Sequence, residues 1–304
     1  MQQGIYHVPV MLQQVIEGLK INPSGVYVDC TFGGGGHSKA ILDKLNAEGK
    51  LIAFDQDEDA KKNLPQDDRI IFVPQNFRHL QRFLRLHKIL QVDGILADLG
   101  VSSYQFDKAD RGFSTRFNAA MDMRMDQRQS LLAMDVLKNY SEEKLHKIFE
   151  QYGEVTNSKT LARTIVHKRS TTSMQTIADF KNAVYGTVKG NPSKYFAQVF
   201  QALRIEVNDE MEALKEMLLQ SVNVLKEEGR LAIITFHSLE DRVVKGFFKG
   251  VVDDKTDKIY GTKNEGLFHI ITKKPITPGE EEIKQNPRSR SAKLRIAEMK
   301  KLKK

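Results

Sequence analysis

Four consecutive glycines between a predicted strand and a predicted helix constrain the fold more than any other feature of the sequence. Apolar residues at 26–32 predict a buried strand, residues 33–36 are all glycine, and a helix is predicted from His37 to about Leu45. Glycine lets the backbone turn sharply and lets a ligand approach without interference from a Cβ atom. The pattern is typical of the first loop of a nucleotide-binding α/β sheet, and a tight turn that binds nothing is the alternative interpretation.

Strand and helix patterns alternate through the first third of the chain. Strands are predicted at 51–55, 70–73 and 94–98, with a helix from near Asp57 and another over about 77–88. Such alternation implies crossover connections, which place helices on both faces of a mostly parallel sheet. The sequence therefore predicts a Rossmann-like α/β fold.

The strand pattern is interrupted in the middle of the chain. Residues from about 106 to 195 are polar and helical, and strands return at 229–236, 268–272 and 292–297 after one long helix predicted over about 197–226. We therefore predict a discontinuous sheet domain of residues 1–105 and 196–304 with an inserted all-helical domain of residues 106–195. Ser141 is predicted to cap one inserted helix, because serine accepts hydrogen bonds from free N–H groups at helix starts.

Two residues near the glycine loop indicate which nucleotide it binds. Asp55 ends the second predicted strand, where a carboxylate can accept both hydroxyls of a ribose. A dinucleotide loop needs a third glycine at the position that Ser38 occupies. An adenosyl ligand without a pyrophosphate therefore fits better than a nicotinamide dinucleotide.

A second acidic residue, Asp98, ends the fourth predicted strand. The carboxyl ends of parallel strands are where open α/β sheets present catalytic groups. Capping of the following turn is the alternative role for this aspartate.

Charge and composition bear on the partner and the compartment. The net charge of +8 suggests a polyanionic partner, although a solvated basic tail would also account for the C-terminal cations. With Cys30 as its one cysteine the chain cannot form an intrachain disulfide, which suits a reducing cytoplasm. We expect no membrane span and no secretory signal, since no apolar run approaches ~20 residues and residues 1–7 lack a basic n-region.

Seven motifs together resemble one family, the bacterial small-subunit ribosomal RNA cytosine-N4 methyltransferases of the RsmH or MraW type. They occur in the family's order, span nearly the whole chain, and several are long and chemically unusual. The motifs lie at His7–Leu12, Thr31–Ser38, Asp98–Ser103, Arg111–Ser114, Asp122–Asp126, Phe236–Arg242 and Asn286–Arg295.

The resemblance implies a class I S-adenosylmethionine-dependent methyltransferase sheet with an inserted helical domain for RNA recognition. It implies methylation of the N4 amine of a cytidine near the decoding site of 16S ribosomal RNA, within the small ribosomal subunit, and leaves a homodimer open. The residues it assigns to the cofactor are Gly35, Gly36, His37, Asp55 (ribose), Phe77 (adenine), Asp98 and Gln105. Tyr104 stands where the family usually has proline, which affects the turn before Gln105.

The chemistry of an exocyclic amine gives Asp98 its expected catalytic role. The lone pair of this amine is delocalised into the cytosine ring, so acceptors beside it must localise the pair and hold it in line with the methyl group. Methylation at C5 would instead need a cysteine nucleophile, and Cys30 is expected to be a buried packing residue. We expect no metal, because the sequence contains neither a cysteine cluster nor an HExxH pair.

Several roles stay open at this point. His237 either orients substrate or bonds a turn, and the aromatic residue that stacks on the target base could be Tyr104, Phe106 or Phe113. RNA contacts are expected from two basic clusters. These comprise Arg163, Lys168 and Arg169 with Lys159 and His167, and then Arg288, Arg290, Lys293 and Arg295.

Three rival functions agree less well with the sequence than this assignment does. A dehydrogenase conflicts with Ser38 and with the lack of a hydride-transfer constellation. A non-enzymatic RNA-binding protein would need neither the glycine loop nor Asp55. A DNA amino methyltransferase is disfavoured by the family resemblance alone.

Overall fold

The computed structural model describes residues 9–250 and 266–301, so His7 and Val8 of the first motif lie outside the described residues. Seven strands form a single sheet in the order β3-β2-β1-β4-β5-β7-β6, and only β7 runs antiparallel to its neighbours. This arrangement confirms the predicted mostly parallel, Rossmann-like sheet. The strands are β1 Val26–Asp29, β2 Lys50–Phe54, β3 Ile70–Val73, β4 Val92–Asp98, β5 Leu225–Thr235, β6 Phe268–Ile270 and β7 Lys293–Met299.

Helices occupy most of the remaining described residues. At two places where the sequence predicted the start of an α-helix, the structure has a 3₁₀ turn. These turns are Glu58–Asn63 and Phe77–His79. The α-helices are α1 Leu12–Leu19, α2 Gly36–Leu42, α3 Leu80–Leu86, α4 Ser103–Asp107, α5 Ala133–Asn139, α6 Glu142–Gln151, α7 Ser158–Lys168, α8 Ile177–Val184, α9 Pro192–Asn208, α10 Glu210–Val224, α11 Ser238–Phe248 and α12 Glu280–Gln285. Within the described ranges, none of them has the length and apolar character needed to span a bilayer.

Both faces of the sheet are buried, as parallel strands require. Alternate residues of β4 and β5 enter opposite cores: Ile95 and Leu231 pack on one face, and Leu96 and Ala232 on the other. Each large apolar side chain buried in this way contributes roughly 1.5–3 kcal/mol. The burial of both faces leaves the strand ends as the edges where polar groups can meet a ligand.

The described residues divide into two compact units. One holds residues up to Gly100 and from Glu212 onward, and the other is Val101–Met211, which has a helical core of its own. Within it the side chain of Ser141 accepts a hydrogen bond from Lys144 N–H, which confirms the predicted cap of α6.

The prediction of one long helix over about 197–226 is wrong. Asp209 adopts a left-handed backbone conformation, with φ of 50°, and divides the segment into α9 and α10. Val199 and Leu203 of α9 pack into the helical core. The helical unit therefore extends to Met211, whereas the sequence predicted a boundary at residue 195.

A buried amide, Asn208, fixes the end of α9 to an irregular segment of the helical unit. Its Nδ2 donates to the Met123 and Arg204 carbonyl oxygens at 2.8 and 2.9 Å, and its Oδ1 accepts from Met125 N–H at 2.7 Å. Met123 has a φ of 63°, a conformation that side chains disfavour. Asn208 therefore compensates for local strain with hydrogen bonds.

We predict that Asn208→Ala destabilises the protein by about 2–4 kcal/mol, because it leaves a buried N–H and a buried carbonyl without partners. Denaturant unfolding measures the loss. The exposed Asn139→Ala variant is the control and should stay within about 0.5 kcal/mol of the parent. Equal stability of the two variants would contradict the role given to Asn208.

Candidate active site

Three aspartates meet at the carboxyl edge of the parallel strands, as the sequence predicted for two of them. Asp29 ends β1, Asp55 follows β2, and Asp98 ends β4. These strands are parallel neighbours in the sheet, so their carboxyl ends lie at one edge. All three residues belong to the sheet-containing unit.

The glycines of the loop serve different purposes. A Cβ atom on Gly34 would meet nothing within 4 Å, which leaves open space beside the backbone. A Cβ on Gly36 would lie 2.2 Å from Pro9 Cγ, so packing against Pro9 requires that glycine. Gly33 and Gly35 have positive φ angles of 51° and 76°. The backbone near Gly34 is thus the part of the loop that a ligand can approach.

Asp55 holds the glycine loop while retaining capacity to bind a ribose. Its Oδ2 accepts from Gly33 N–H at 2.7 Å and its Oδ1 from Asp57 N–H at 2.8 Å. A carboxylate has about four lone-pair sites, so each oxygen can accept a further bond. Burial, together with the charges of Asp57 and Asp29, raises the pKa of Asp55 to about 7.

Ser38 has a structural reason to replace the third glycine. Its hydroxyl donates to Asp29 Oδ2 at 2.7 Å, and Thr31 N–H donates to Asp29 Oδ1 at 3.0 Å. Asp29 is only 1% exposed, so these donors replace lost hydration. Burial still raises the pKa of Asp29.

Asp98 carries an unsatisfied carboxylate oxygen at this edge. Its Oδ1 is buried and has no hydrogen-bond partner among the described residues, and its Oδ2 lies 3.7 Å from His37 Nδ1. Burial and the neighbouring carboxylates of Asp29, Glu240 and Glu282 raise its pKa well above the usual range. This electronegative site suits a cationic ligand such as a sulfonium with its ammonium group.

His37 connects the site to residues from two other segments. Its Nε2 lies 3.0 Å from the Val10 carbonyl oxygen, and burial lowers its pKa. A neutral ring that donates from Nε2 leaves Nδ1 as an acceptor facing Asp98. The adjacent Met11 N–H donates to Glu282 Oε1 at 2.8 Å. Sequence reasoning missed Glu282, whose acidic run gave no sign of contact with residue 11, and it also missed Glu240.

The structure gives His237 the role of bonding a turn. Its Nδ1 accepts from Glu240 N–H at 3.4 Å, which caps α11. Its Nε2 is buried 3.2 Å from Glu240 Oε1 but forms no hydrogen bond with the described residues. The Glu240 carboxylate in turn accepts from Phe236 N–H at 2.8 Å. His237 therefore positions Glu240, one of the charges that act on Asp98.

Two other predicted cofactor residues lie in short structured turns. Gln105, in the helical unit, is 5% exposed, and its Oε1 accepts from Ser102 N–H at 3.1 Å in a capping box. Phe77 begins the turn after β3 in the sheet-containing unit and packs partly against its core. Their contacts with a cofactor remain predictions.

Among the three aromatic candidates for base stacking, only Tyr104 is exposed. It shows 48% of its surface, with Lys108 Nζ 4.9 Å from the ring centroid. Phe113 is 5% exposed, and Phe106 packs against the helical core. The residue that departs from the family pattern is thus the best placed of the three to meet a base.

Four of the predicted RNA-binding side chains are held by protein groups. Lys168 Nζ donates to the Ala183 carbonyl at 2.8 Å, and Arg169 Nη1 to the Tyr140 carbonyl at 2.6 Å. Lys293 and Arg295 both contact the Asp241 carboxylate, at 3.5 and 2.6 Å. The sequence could not reveal these protein contacts, because the acceptors are distant in sequence.

The other predicted RNA-binding residues are more accessible. Arg163 is 69% exposed, with Glu142 3.6 Å away, and it shares the exposed face of α7 with Lys159 and His167. Arg290 is exposed and Arg288 partly exposed, both in the turn before β7.

The fold and the site together define a class I methyltransferase: a glycine loop after β1, a ribose-type carboxylate after β2 and an acidic residue ending β4. Comparison with known proteins gives the family. A family model described as "MraW methylase family" matches residues 4–300, and the chain belongs to that family. Membership confirms the resemblance seen in the sequence and, with it, S-adenosylmethionine as the cofactor.

Curated relatives match along almost their whole length. A protein of Bacteroides thetaiotaomicron is 52% identical over 299 residues, covering 97% of this chain and 98% of its own. One of Parabacteroides distasonis is 52% identical over 300 residues, covering 98% of each chain, and one of Flavobacterium psychrophilum is 50% identical over 292 residues, covering 95% of this chain and 100% of its own. All three are named "Ribosomal RNA small subunit methyltransferase H".

We predict that S-adenosylmethionine binds about tenfold more tightly at pH 8 than at pH 6. Asp55 has a pKa of about 7, so it is mostly protonated at pH 6 and loses acceptor sites for the ribose, which return as the pH rises through 7. Calorimetry at several pH values measures this dependence, and Asp55→Asn should flatten it.

Asp67→Asn is the matched control. The pKa of Asp67 lies at about 2, because Arg69 hydrogen-bonds to its carboxylate, so this group does not titrate between pH 6 and 8. A pH dependence that survives in Asp55→Asn would place the titrating group elsewhere.

Proposed function

We propose that the protein methylates the exocyclic N4 amine of a cytidine in 16S ribosomal RNA, near the decoding site of the small ribosomal subunit in the cytoplasm. The names of the full-length relatives support ribosomal RNA as the substrate. The observation that carries the choice of an amine is the buried, unpartnered Oδ1 of Asp98 at the catalytic edge of the sheet.

Asp98 has the properties that this reaction requires. When bound, S-adenosylmethionine supplies an electrophilic methyl group on a positively charged sulfur. Asp98 Oδ1 accepts a hydrogen bond from N4, which localises the lone pair and directs it toward the methyl carbon. Methyl transfer to N4 would leave that nitrogen positively charged, and the Asp98 carboxylate would accept the proton that it then releases.

The surroundings of Asp98 make it a competent proton acceptor. Its raised pKa favours uptake of the proton that N4 releases. His37 Nδ1, an acceptor in the neutral ring, lies 3.7 Å from Oδ2 of the same carboxylate. The carboxylates of Asp29, Glu240 and Glu282 stabilise positive charge beside Asp98 during transfer.

The helical unit Val101–Met211 is the proposed RNA-recognition domain. Arg163 with its neighbours on α7 offers phosphate contacts, and Arg288 and Arg290 of the sheet-containing unit supply others. Tyr104 offers an exposed ring on which an unstacked base can lie. The target cytosine leaves its stack to reach Asp98.

We predict that Asp98→Ala lowers the single-turnover rate of methyl transfer to 16S ribosomal RNA on the order of 10²–10⁴-fold. Thermal stability should be kept or raised, because the substitution removes a buried carboxylate oxygen that lacks a partner. Asp98→Asn retains an acceptor oxygen but cannot take up the proton, so its rate should lie between those of the parent and the alanine variant.

Asp43→Asn, at the exposed end of α2, serves as the control for loss of one negative charge and should keep the parental rate. Cofactor affinity is measured in parallel to separate binding from transfer. A parental rate in Asp98→Ala would move the reaction away from β4.

A further inference from the structure

A basic cavity lies on the sheet-containing unit, and its lining includes none of the aspartates at the carboxyl edge of β1, β2 and β4. It has a volume of about 250 Å³. Its walls are formed by α11, by β7, and by the end of β6 with the residues that follow it. The lining residues are Lys245, Phe248, Lys249, Ile270, Lys273 and Arg295.

The frame of this cavity is built from aromatic packing. The rings of Phe247 and Phe248 lie 5.5 and 5.8 Å from that of Phe268, which joins α11 to β6. Lys245, Phe248 and Lys249 are spaced i, i+3, i+4 and therefore share one face of α11. The two lysines thus lie on the same side of α11, beside a packed apolar floor.

The positive charge of the cavity is only partly compensated. Arg295 is 6% exposed, and it donates to Asp241 through Nε at 2.6 Å and Nη2 at 3.2 Å. Its Nη1 has no acceptor among the described residues. Lys245, Lys249 and Lys273 are exposed and form no ion pair with any carboxylate of residues 9–250 or 266–301. Asp241, the acid that Arg295 contacts, is also shared with Lys293.

We propose that this cavity binds a phosphate of the RNA backbone, a contact that rests on the proposed function and extends the substrate path beyond the catalytic edge. Arg295 Nη1 is the fixed donor, since Asp241 holds the guanidinium in place, and the three lysines supply mobile charge. A buried guanidinium with flexible ammonium groups around it matches the geometry and charge of a phosphodiester. The charged rim and the small apolar floor disfavour an apolar protein partner.

The test compares two double variants that each remove two positive charges. Lys245→Gln with Lys249→Gln alters the cavity, whereas Lys44→Gln with Lys50→Gln alters exposed lysines on α2's C-terminal side and at the start of β2. Binding of a 16S ribosomal RNA fragment is measured against salt concentration. We expect the cavity variant to bind on the order of tenfold more weakly at low salt and to lose roughly 0.7–0.9 from the slope of log K against log salt.

Cofactor affinity should be parental in both variants, because neither alters the carboxyl edge. A cavity variant that matches the lysine control in slope and affinity overturns the proposal. Failure of the parent protein to bind the RNA fragment would instead count against the proposed function. Weakened binding of an acidic peptide, with RNA binding unchanged, would also overturn the phosphate assignment.

Discussion

The crowding of carboxylates at one edge of the sheet is the constraint on which the rest of the site depends. Parallel strands bring Asp29, Asp55 and Asp98 together at one edge. Among the described residues, no single cation forms ion pairs with all three carboxylates. Local donors satisfy the first two: the Ser38 hydroxyl and Thr31 N–H for Asp29, and Gly33 N–H for Asp55. Asp98 keeps a buried oxygen without a partner, which costs stability in the cofactor-free protein.

This cost has a functional consequence. A positively charged ligand that binds beside Asp98 removes the repulsion which the folded protein carries, so binding and stability are linked. The same electrostatics raise the pKa of Asp98, which in the proposed reaction favours uptake of the proton that N4 releases. Under the proposed function, one arrangement of charges would serve both to hold the methyl donor and to accept the proton.

Local patterns in the sequence predicted the sheet and the positions of Asp55 and Asp98, because strand periodicity and strand ends depend on nearby residues. They could not reveal contacts across the chain. Glu282 bonds to Met11 N–H over 271 residues, and Arg169 caps a helix through Tyr140, so neither role leaves a local signal. The break at Asp209 was missed because a left-handed residue at the end of a helix is usually a glycine, and here it is an aspartate.

Mass spectrometry of ribosomal RNA nucleosides tests the identity of the modified atom most directly. 16S ribosomal RNA from cells that lack the protein is compared with RNA from the same cells after the gene is restored. We predict that a cytidine carrying a methyl group on N4 is missing without the protein and returns with it. An unchanged N4-methylated cytidine, or loss of a methyl group from a carbon atom instead, would contradict it.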